Sequence, residues 1–334
     1  MYDKCTVLAK SAQETQKTGA SLARTLYGST VTVALTGELG AGKTTFLQGF
    51  ARALGIRDPL TSPTYALEQR YETPRGQFLH LDLYRLTQAQ AEDLLRSSAN
   101  FSGIRCIEWS ERIGIPHLLK NGPLIGISVQ ERSMHDRQIV CNFHDASLPT
   151  DDEIERWRKE SRLPVHIIHH CDAVAAFAVT LADRLIGDGQ FIRKDALRRA
   201  AQVHDLFRFL DFRPGGHPMN DHSPDAQSAW DAVRSRYPAM HHEQACAEFL
   251  REQGFGVLAQ IVAVHGLSDP PPDHATIEQK LLFYADKRVL LDRVVTLEER
   301  FADFAKRYGK GEVSDEAKRW YAMTKRVEEE LFPS

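Results

Sequence analysis

Cysteine is scarce and scattered in this sequence: Cys5, Cys106, Cys141, Cys171 and Cys246 are odd in number, and no two stand in C-x-x-C spacing. That speaks against a disulfide framework and a thiolate zinc knuckle, and makes a reduced, cytoplasmic protein the expectation. Also missing are an uncharged apolar run approaching about 18 residues and a basic N-terminal region leading into an apolar core, so neither membrane insertion nor export is expected. No internal repeat or low-complexity tract is present. Charge is close to balanced: the net is -3, with 16 Lys and Arg against 14 Asp and Glu in residues 1–150 and 26 against 31 in the remainder. Neither half has the basic excess of a nucleic-acid-binding module. The length of 334 residues suggests two domains, each large enough for its own core.

What the sequence does contain is organised around Gly37-Glu38-Leu39-Gly40-Ala41-Gly42-Lys43-Thr44, which reads G-x-x-x-x-G-K-[ST]. A β-branched run, Val31 to Leu35, precedes it, and Phe46, Leu47, Phe50, Ala53 and Leu54 recur after it at helical spacing. A phosphate-binding loop requires that context. The strand delivers the loop, glycines let backbone N–H groups turn onto phosphates, Lys43 meets the outer phosphates, and the Thr44 hydroxyl can ligate Mg²⁺.

Ser11 to Glu14 reads as a capping box opening a helix before that strand. Thr61-Ser62-Pro63-Thr64-Tyr65 is a hydroxyl-rich loop. Gln77 to Arg85 alternates, with Leu79, Leu81 and Leu83 on one face and Phe78, His80, Asp82 and Tyr84 on the other. A carboxylate closing such a strand in a P-loop protein is the expected partner for Mg²⁺, which selects Asp82. Ile104 to Trp109 is a further apolar strand ending in an acid, and Glu108 could orient a water or the metal shell. Leu124–Val129 and Gln138–Phe143 flank a polar turn and read as a hairpin. The half is expected to be an α/β domain with mixed strands.

Taken together, these residues make the first half resemble the TsaE (YjeE) family, the ATPase of bacterial tRNA threonylcarbamoyladenosine synthesis. The resemblance covers nearly all of residues 5–145. It rests on Gly37 to Thr45, Ser62-Pro63-Thr64-Tyr65, His80-Leu81-Asp82-Leu83-Tyr84-Arg85 and Glu108-Trp109, in that order. It implies a P-loop NTPase-like fold that binds ATP or ADP with Mg²⁺ and works with the TsaB and TsaD proteins, meeting tRNA only indirectly. Position by position it implies phosphate and Mg²⁺ binding by Lys43 and Thr44, with Thr45 closing the loop. Asp82 would be the metal-side acid, Thr61, Ser62 and Thr64 a nucleotide-sensing loop, and Glu108 with Trp109 the segment near the γ-phosphate. Glu38 stands where the family commonly has Asp, which keeps the charge.

A short polar, proline-bearing stretch, Asp145 to Asp152, marks the expected boundary between a domain of residues 1–148 and one of 149–334. Beyond it strand signals vanish. Segments 153–160, 166–186, 195–209, 224–236, 242–253, 257–266, 276–293 and 298–308 read as helices, so an all-α domain is expected. Several histidines and acids fall on apolar helical faces: His170, His204, His265 and Asp286, with Asp205 next to His204. Unpaired burial of a carboxylate is costly, so these residues point to one inward-facing polar site. Nitrogen and carboxylate donors without thiolates suit a divalent transition metal such as Mn, Fe, Zn or Ni.

The order His170, His204-Asp205, Asp286 resembles the HD superfamily of metal-dependent phosphohydrolases. That resemblance implies a small phosphorylated substrate, with Asp205 catalytic. His242 and His265 fall where members with a second metal carry extra histidines, and Arg208 stands where some carry a catalytic Lys. His169 competes with His170, and His241 with His242. The loop Asp211 to Ser223 is the expected substrate-side wall. The leading expectation is a TsaE-type ATPase fused to an HD phosphohydrolase. Two alternatives are a P-loop kinase paired with a phosphatase for one metabolite, and a TsaE ATPase carrying a non-catalytic nucleotide-sensing HD domain.

Overall fold

The computed structural model describes all residues except Met1, Thr64, 213–222, 268–269, 309–313 and Ser334, with the side chains of Asn121 and 306–308 likewise excepted. Thr64 and most of the expected substrate-side wall therefore lie outside the described residues. The chain forms two compact units, Met1–Ser147 with Asp183–Lys194, and Leu148–Ala182 with Asp195–Ser334.

The first unit runs β1 (Asp3–Ala9), α1 (Ala12–Leu22), β2 (Val31–Thr36), α2 (Lys43–Ala53), β3 (Glu68–Thr73), β4 (Gly76–Asp82), α3 (Gln88–Ser97), β5 (Gly103–Glu108), α4 (Ile115–Leu118), β6 (Leu124–Glu131) and β7 (Arg137–Phe143). Its strands make one mixed sheet in the order β1-β7-β6-β2-β5-β4-β3. The central strands β6, β2, β5 and β4 are parallel, while β1, β7 and β3 pair antiparallel at the edges. The alternation read at 77–85 buries both faces. Phe78 joins Phe46 and Phe50 of α2 on one side, and Leu79, Leu81 and Leu83 join Ala91 and Leu95 of α3 on the other.

A strand, not a helix, opens the chain. In β1 residues Asp3, Cys5, Val7 and Ala9 are buried while Lys4, Thr6 and Leu8 are exposed, a period of two that was present in the sequence. Ser11 caps α1 by accepting from Glu14 N–H at 3.1 Å, but Glu14 reaches back to Lys10 N–H, so the box is displaced by one residue. Helices α1 and α2 cross with their backbones nearly touching. A Cβ on Gly49 would lie 1.9 Å from the carbonyl oxygen of Gln16, so only glycine permits this approach.

The segment 183–194 completes this unit. Phe191 is fully buried, with its ring 5.9 Å from that of Phe46 on α2. Its N–H donates to Ser21 Oγ at 2.9 Å, and the Thr18 hydroxyl donates to Gly189 O at 3.0 Å. Arg193, also fully buried, grips Asp145 through two hydrogen bonds of 2.6 and 2.7 Å and lies 4.1 Å from the Phe143 ring centroid.

The second unit is helical: α5 (Asp151–Glu160), α6 (Val165–Gly187), α7 (Lys194–Val203), α8 (Pro224–Arg236), α9 (His242–Glu252), α10 (Gly256–Val262), α11 (Ile277–Lys287), α12 (Leu297–Tyr308) and α13 (Asp315–Leu331). Capping boxes at Thr150 and Thr276, and Ser223 ahead of Pro224, start three of them. Three departures from the sequence reading stand out. Helix α7 stops at Val203, so His204 and Asp205 stand in a turn closed by Leu206 N–H on Val203 O. Helix α11 stops at Lys287, and a two-stranded hairpin follows, β8 (Val289–Leu290) with β9 (Arg293–Val294). Helix α13 adds a further amphipathic helix after the last one expected.

By length and composition alone, α6 could cross a membrane, with 23 residues and a mean hydropathy of 1.4. Core helices pass the same test. Here Cys171, Val174 and Ala178 are buried and Asp172 pairs with Arg158 at 2.6 Å.

Replacing Arg193 with Ala strands a buried carboxylate at Asp145, and breaking a buried pair in this way costs about 3–5 kcal/mol. Calorimetry of the full chain should show the transition of the P-loop unit moving to lower temperature while the helical unit keeps its own.

Candidate functional sites

The first candidate site lies where β2 ends and α2 begins. Gly37 has φ 141°, and a Cβ there would sit 2.3 Å from Val129 O, so the loop can leave the sheet only through glycine. Gly40 and Gly42 also hold positive φ, 79° and 105°, while Ala41 is buried and Glu38 and Leu39 are exposed. Arg137 at the start of β7 donates from Nε to Ala41 O at 2.9 Å and pins the loop from the side. Lys43 Nζ donates to Gly37 O at 2.7 Å and Glu38 O at 2.9 Å and lies 3.8 Å from the Trp109 ring centroid. Burial pushes the Lys43 ammonium down in pKa, against the opposing pull of Glu108, Glu111 and Asp82.

The acid that meets Thr44 is Glu108, not Asp82. The Thr44 hydroxyl lies 2.9 and 3.0 Å from the two Glu108 carboxylate oxygens. Asp82 instead accepts from Ser62 Oγ at 2.6 Å and Tyr84 N–H at 2.9 Å. Strand order supplies the reason. Asp82 and Glu108 are register partners on parallel strands, but β5 is the neighbour of β2 and β4 is one strand further away. That extra step is about 4.8 Å in the hydrogen-bonding direction. Ser62 is thus tied to Asp82. Thr61 is exposed and enters none of these contacts among the described residues, and Thr45 is half-buried on α2. One member of the cluster carried no assignment from sequence: His80, fully buried, places Nε2 3.0 Å from Glu108 Oε1. Its place on the face of Asp82 was the available signal.

The second candidate site gathers His170 from α6, His204 and Asp205 from the turn after α7, His242 from α9, His265 from the turn after α10, and Asp286 from α11. Except for the partly buried His170, all of them are buried. Three of the histidines present Nδ1 to a backbone carbonyl: His170 to Leu291 at 2.9 Å, His204 to Ala201 at 2.8 Å and His265 to Val262 at 2.6 Å. His242 presents Nδ1 to the Asp211 carboxylate. Carbonyl and carboxylate oxygens only accept, so each Nδ1 carries a proton and each Nε2 is turned inward.

Those nitrogens converge on carboxylates. His170 Nε2 is 2.9 Å from Asp286 Oδ1, and His204 Nε2 is 3.6 Å from the same oxygen and 3.8 Å from Asp205 Oδ2. His242 Nε2 is 2.9 Å and His265 Nε2 3.7 Å from Asp205 Oδ1, and the two nitrogens are 3.2 Å apart. His204 Nε2 is buried without a hydrogen-bond partner. In two triplets, His170-His204-Asp205 and Asp205-His242-His265, the donor atoms lie within 4.8 Å of one another, with Asp205 shared. An N/O donor set without sulfur is of the kind that suits a divalent transition metal.

Burial pushes Asp205 up, but His204 and Arg208 hold its carboxyl well below the usual range; Lys287, with His170 and His204, does the same for Asp286. Arg208 NH1 lies 3.2 Å from the His242 ring nitrogens and 3.8 Å from Asp211. His169 and His241 are exposed, so their neighbours His170 and His242 are the inward members of each pair. Sequence reading missed Lys287, which binds Asp286 and donates to His265 O at 2.9 Å, and Asp211, which holds His242.

A family model described as threonylcarbamoyl adenosine biosynthesis protein TsaE matches residues 9–139. The TsaE protein of Aquifex aeolicus is 39% identical over 108 residues, which cover 32% of this chain and 77% of that one. The chain belongs to the TsaE family. The TsaE protein of Rickettsia bellii is 35% identical over 145 residues, covering 43% of this chain and 96% of its own, and that of Treponema pallidum 40% over 110 residues, covering 32% and 78%. A crystal structure of Bacillus subtilis YdiB aligns with 43% of this chain and 87% of its own at 23% identity and a TM-score of 0.34, too distant to compare sites.

Asp211 supplies a pH test of the helical site. Hydrogen bonds from His242 and His241 outweigh burial and pull its pKa from 3.8 to about 2. A depressed carboxyl stabilises the fold above its unfolded pKa and loses that contribution as pH falls through the folded one. The stability difference between wild type and Asp211→Asn should therefore shrink as the pH falls from about 4 towards 2, as read by urea unfolding at each pH.

Proposed function

We propose that residues 1–148 form a Mg²⁺-dependent ATPase supporting threonylcarbamoyladenosine modification of tRNA, and that residues 149–334 form an HD-type metal-dependent phosphohydrolase. The ATPase assignment draws on family membership and on one arrangement: Lys43, Thr44, Glu108 and Trp109 meet at the N-terminus of α2. In this reading the loop amides and Lys43 hold the phosphates of ATP or ADP, and Lys43 trades the carbonyls of Gly37 and Glu38 for phosphate oxygens. Thr44 and Glu108 supply the oxygen donors that Mg²⁺ prefers, so the metal-side role passes from Asp82 to Glu108. Asp82 holds Ser62 beside the site. Mg²⁺, when bound, neutralises charge on the phosphates. The relatives' names support the threonylcarbamoyladenosine role for this chain; TsaB and TsaD as partners, tRNA met indirectly and the cytoplasm as the place of work belong to the same proposal.

For the helical unit, the supporting observation is the set of four histidines whose Nδ1 protons are committed to fixed acceptors. Their Nε2 atoms, with Asp205 and Asp286, would hold one or two divalent ions of Mn, Fe, Zn or Ni. A metal there supplies a Lewis acid that polarises a phosphoryl oxygen. Arg208, a planar fork at the rim of the cluster, pairs with a second phosphate oxygen of a small phosphorylated substrate. Lys287 holds Asp286 in place.

Lys43→Ala and Glu108→Ala should abolish ATP turnover and leave a metal-dependent phosphatase activity intact, measured on the same preparations. Asp205→Ala should do the reverse and lower metal content in elemental analysis, with nucleotides and phosphate monoesters assayed under added Mn²⁺. Unchanged metal and phosphatase activity in Asp205→Ala would reduce the second site to a buried polar cluster.

A further inference from the structure

His80 lies on β4, two residues before Asp82 and diagonally across the parallel register from Glu108, on the α2 side of the sheet. It is fully buried, with Nε2 3.0 Å from Glu108 Oε1, while its Nδ1 is buried with no hydrogen-bond partner. Because the Glu108 carboxylate can only accept, Nε2 carries the proton. That leaves an imidazole with one polar engagement, and it is directed at the acid that meets Thr44.

We propose that His80 is a positioning residue for the Mg²⁺–nucleotide: its Nε2–H fixes Oε1 of Glu108 and so holds the carboxylate with both oxygens against the Thr44 hydroxyl, at 2.9 and 3.0 Å, before the ion arrives. This rests on the reading of the first site as a Mg²⁺–nucleotide site. Its physical basis is that a carboxylate on a single χ3 rotor presents either oxygen in many directions, and one directional donor removes that freedom. Asp82 cannot substitute, since its oxygens are taken by Ser62 and Tyr84 N–H. Removing the group that orients a metal ligand typically costs about 10–100-fold in metal affinity.

The test uses the full chain with three substitutions. In His80→Gln the amide N–H can stand where the imidazole Nε2–H stands; in His80→Asn it ends near the position of Nδ1 and falls short of Glu108; in His80→Leu there is no donor. A fluorescent ADP analogue is titrated in EDTA and again against increasing Mg²⁺, and Mn²⁺ binding to the protein–ADP complex is read by electron paramagnetic resonance. Expected is equal ADP affinity in EDTA for all four proteins. The Mg²⁺ and Mn²⁺ requirement should rise about 10–100-fold in Asn and Leu and stay within about threefold of wild type in Gln. Asn or Leu variants that match wild type in metal requirement overturn the proposal, as does a Gln variant impaired as severely as Asn. If wild type itself binds ADP with no dependence on Mg²⁺, the reading of the loop as a Mg²⁺–nucleotide site fails instead.

Discussion

A carboxylate taken out of water must be given something positive or something that donates, and both units of this chain are built around that requirement. In the P-loop unit, Asp145 is answered by Arg193, and Glu108 by Thr44 and His80. In the helical unit, Asp205 and Asp286 are ringed by histidines, with Arg208 and Lys287 close by. The answers differ in kind. Asp145 has a complete partner and is structural. Glu108 is met by Thr44 and His80 and lies in the field of Lys43, and Asp205 with Asp286 share their cluster with Arg208 and Lys287.

Sheet order turns the first of these arrangements into a phosphate site. Glycine at 37 lets β2 hand over to α2 without collision against β6, glycine at 49 lets α1 brace α2 at backbone distance, and the neighbouring strand β5 delivers Glu108 to the start of the helix. None of the three would suffice alone. The acid has to arrive on the adjacent strand, because a carboxylate one strand further out meets the Ser62 hydroxyl instead.

Much of this was legible in the sequence. The loop motif, the alternation at 77–85, the hairpin at 124–143 and the inward histidines all follow from local spacing, and local spacing survives folding. What escaped was tertiary. The choice between Asp82 and Glu108 depends on strand order, which one sequence does not carry. The choice between His169 and His170 depends on rotation about α6 and was settled by exposure. The ends of α7 and α11 were overrun because the apolar pattern continues past them, while His204 Nδ1 turns back onto Ala201 O and Val289 pairs with Val294. The edge strand β1 was a period-two signal left unread beside a stronger helical one.

The membership of residues 183–194 in the P-loop unit bears on how the two halves could ever be parted. A protease cutting in the stretch 145–152 would sever the chain between the units, yet the C-terminal fragment would still own Phe191 and Arg193, seated among Phe46, Ser21 and Asp145. The nicked molecule would stay together as a two-chain complex. A gene shortened to the first unit would lose a plug from its core. The chain passes between the units three times, at 147–148, 182–183 and 194–195, so the first unit is built from two separate stretches of sequence.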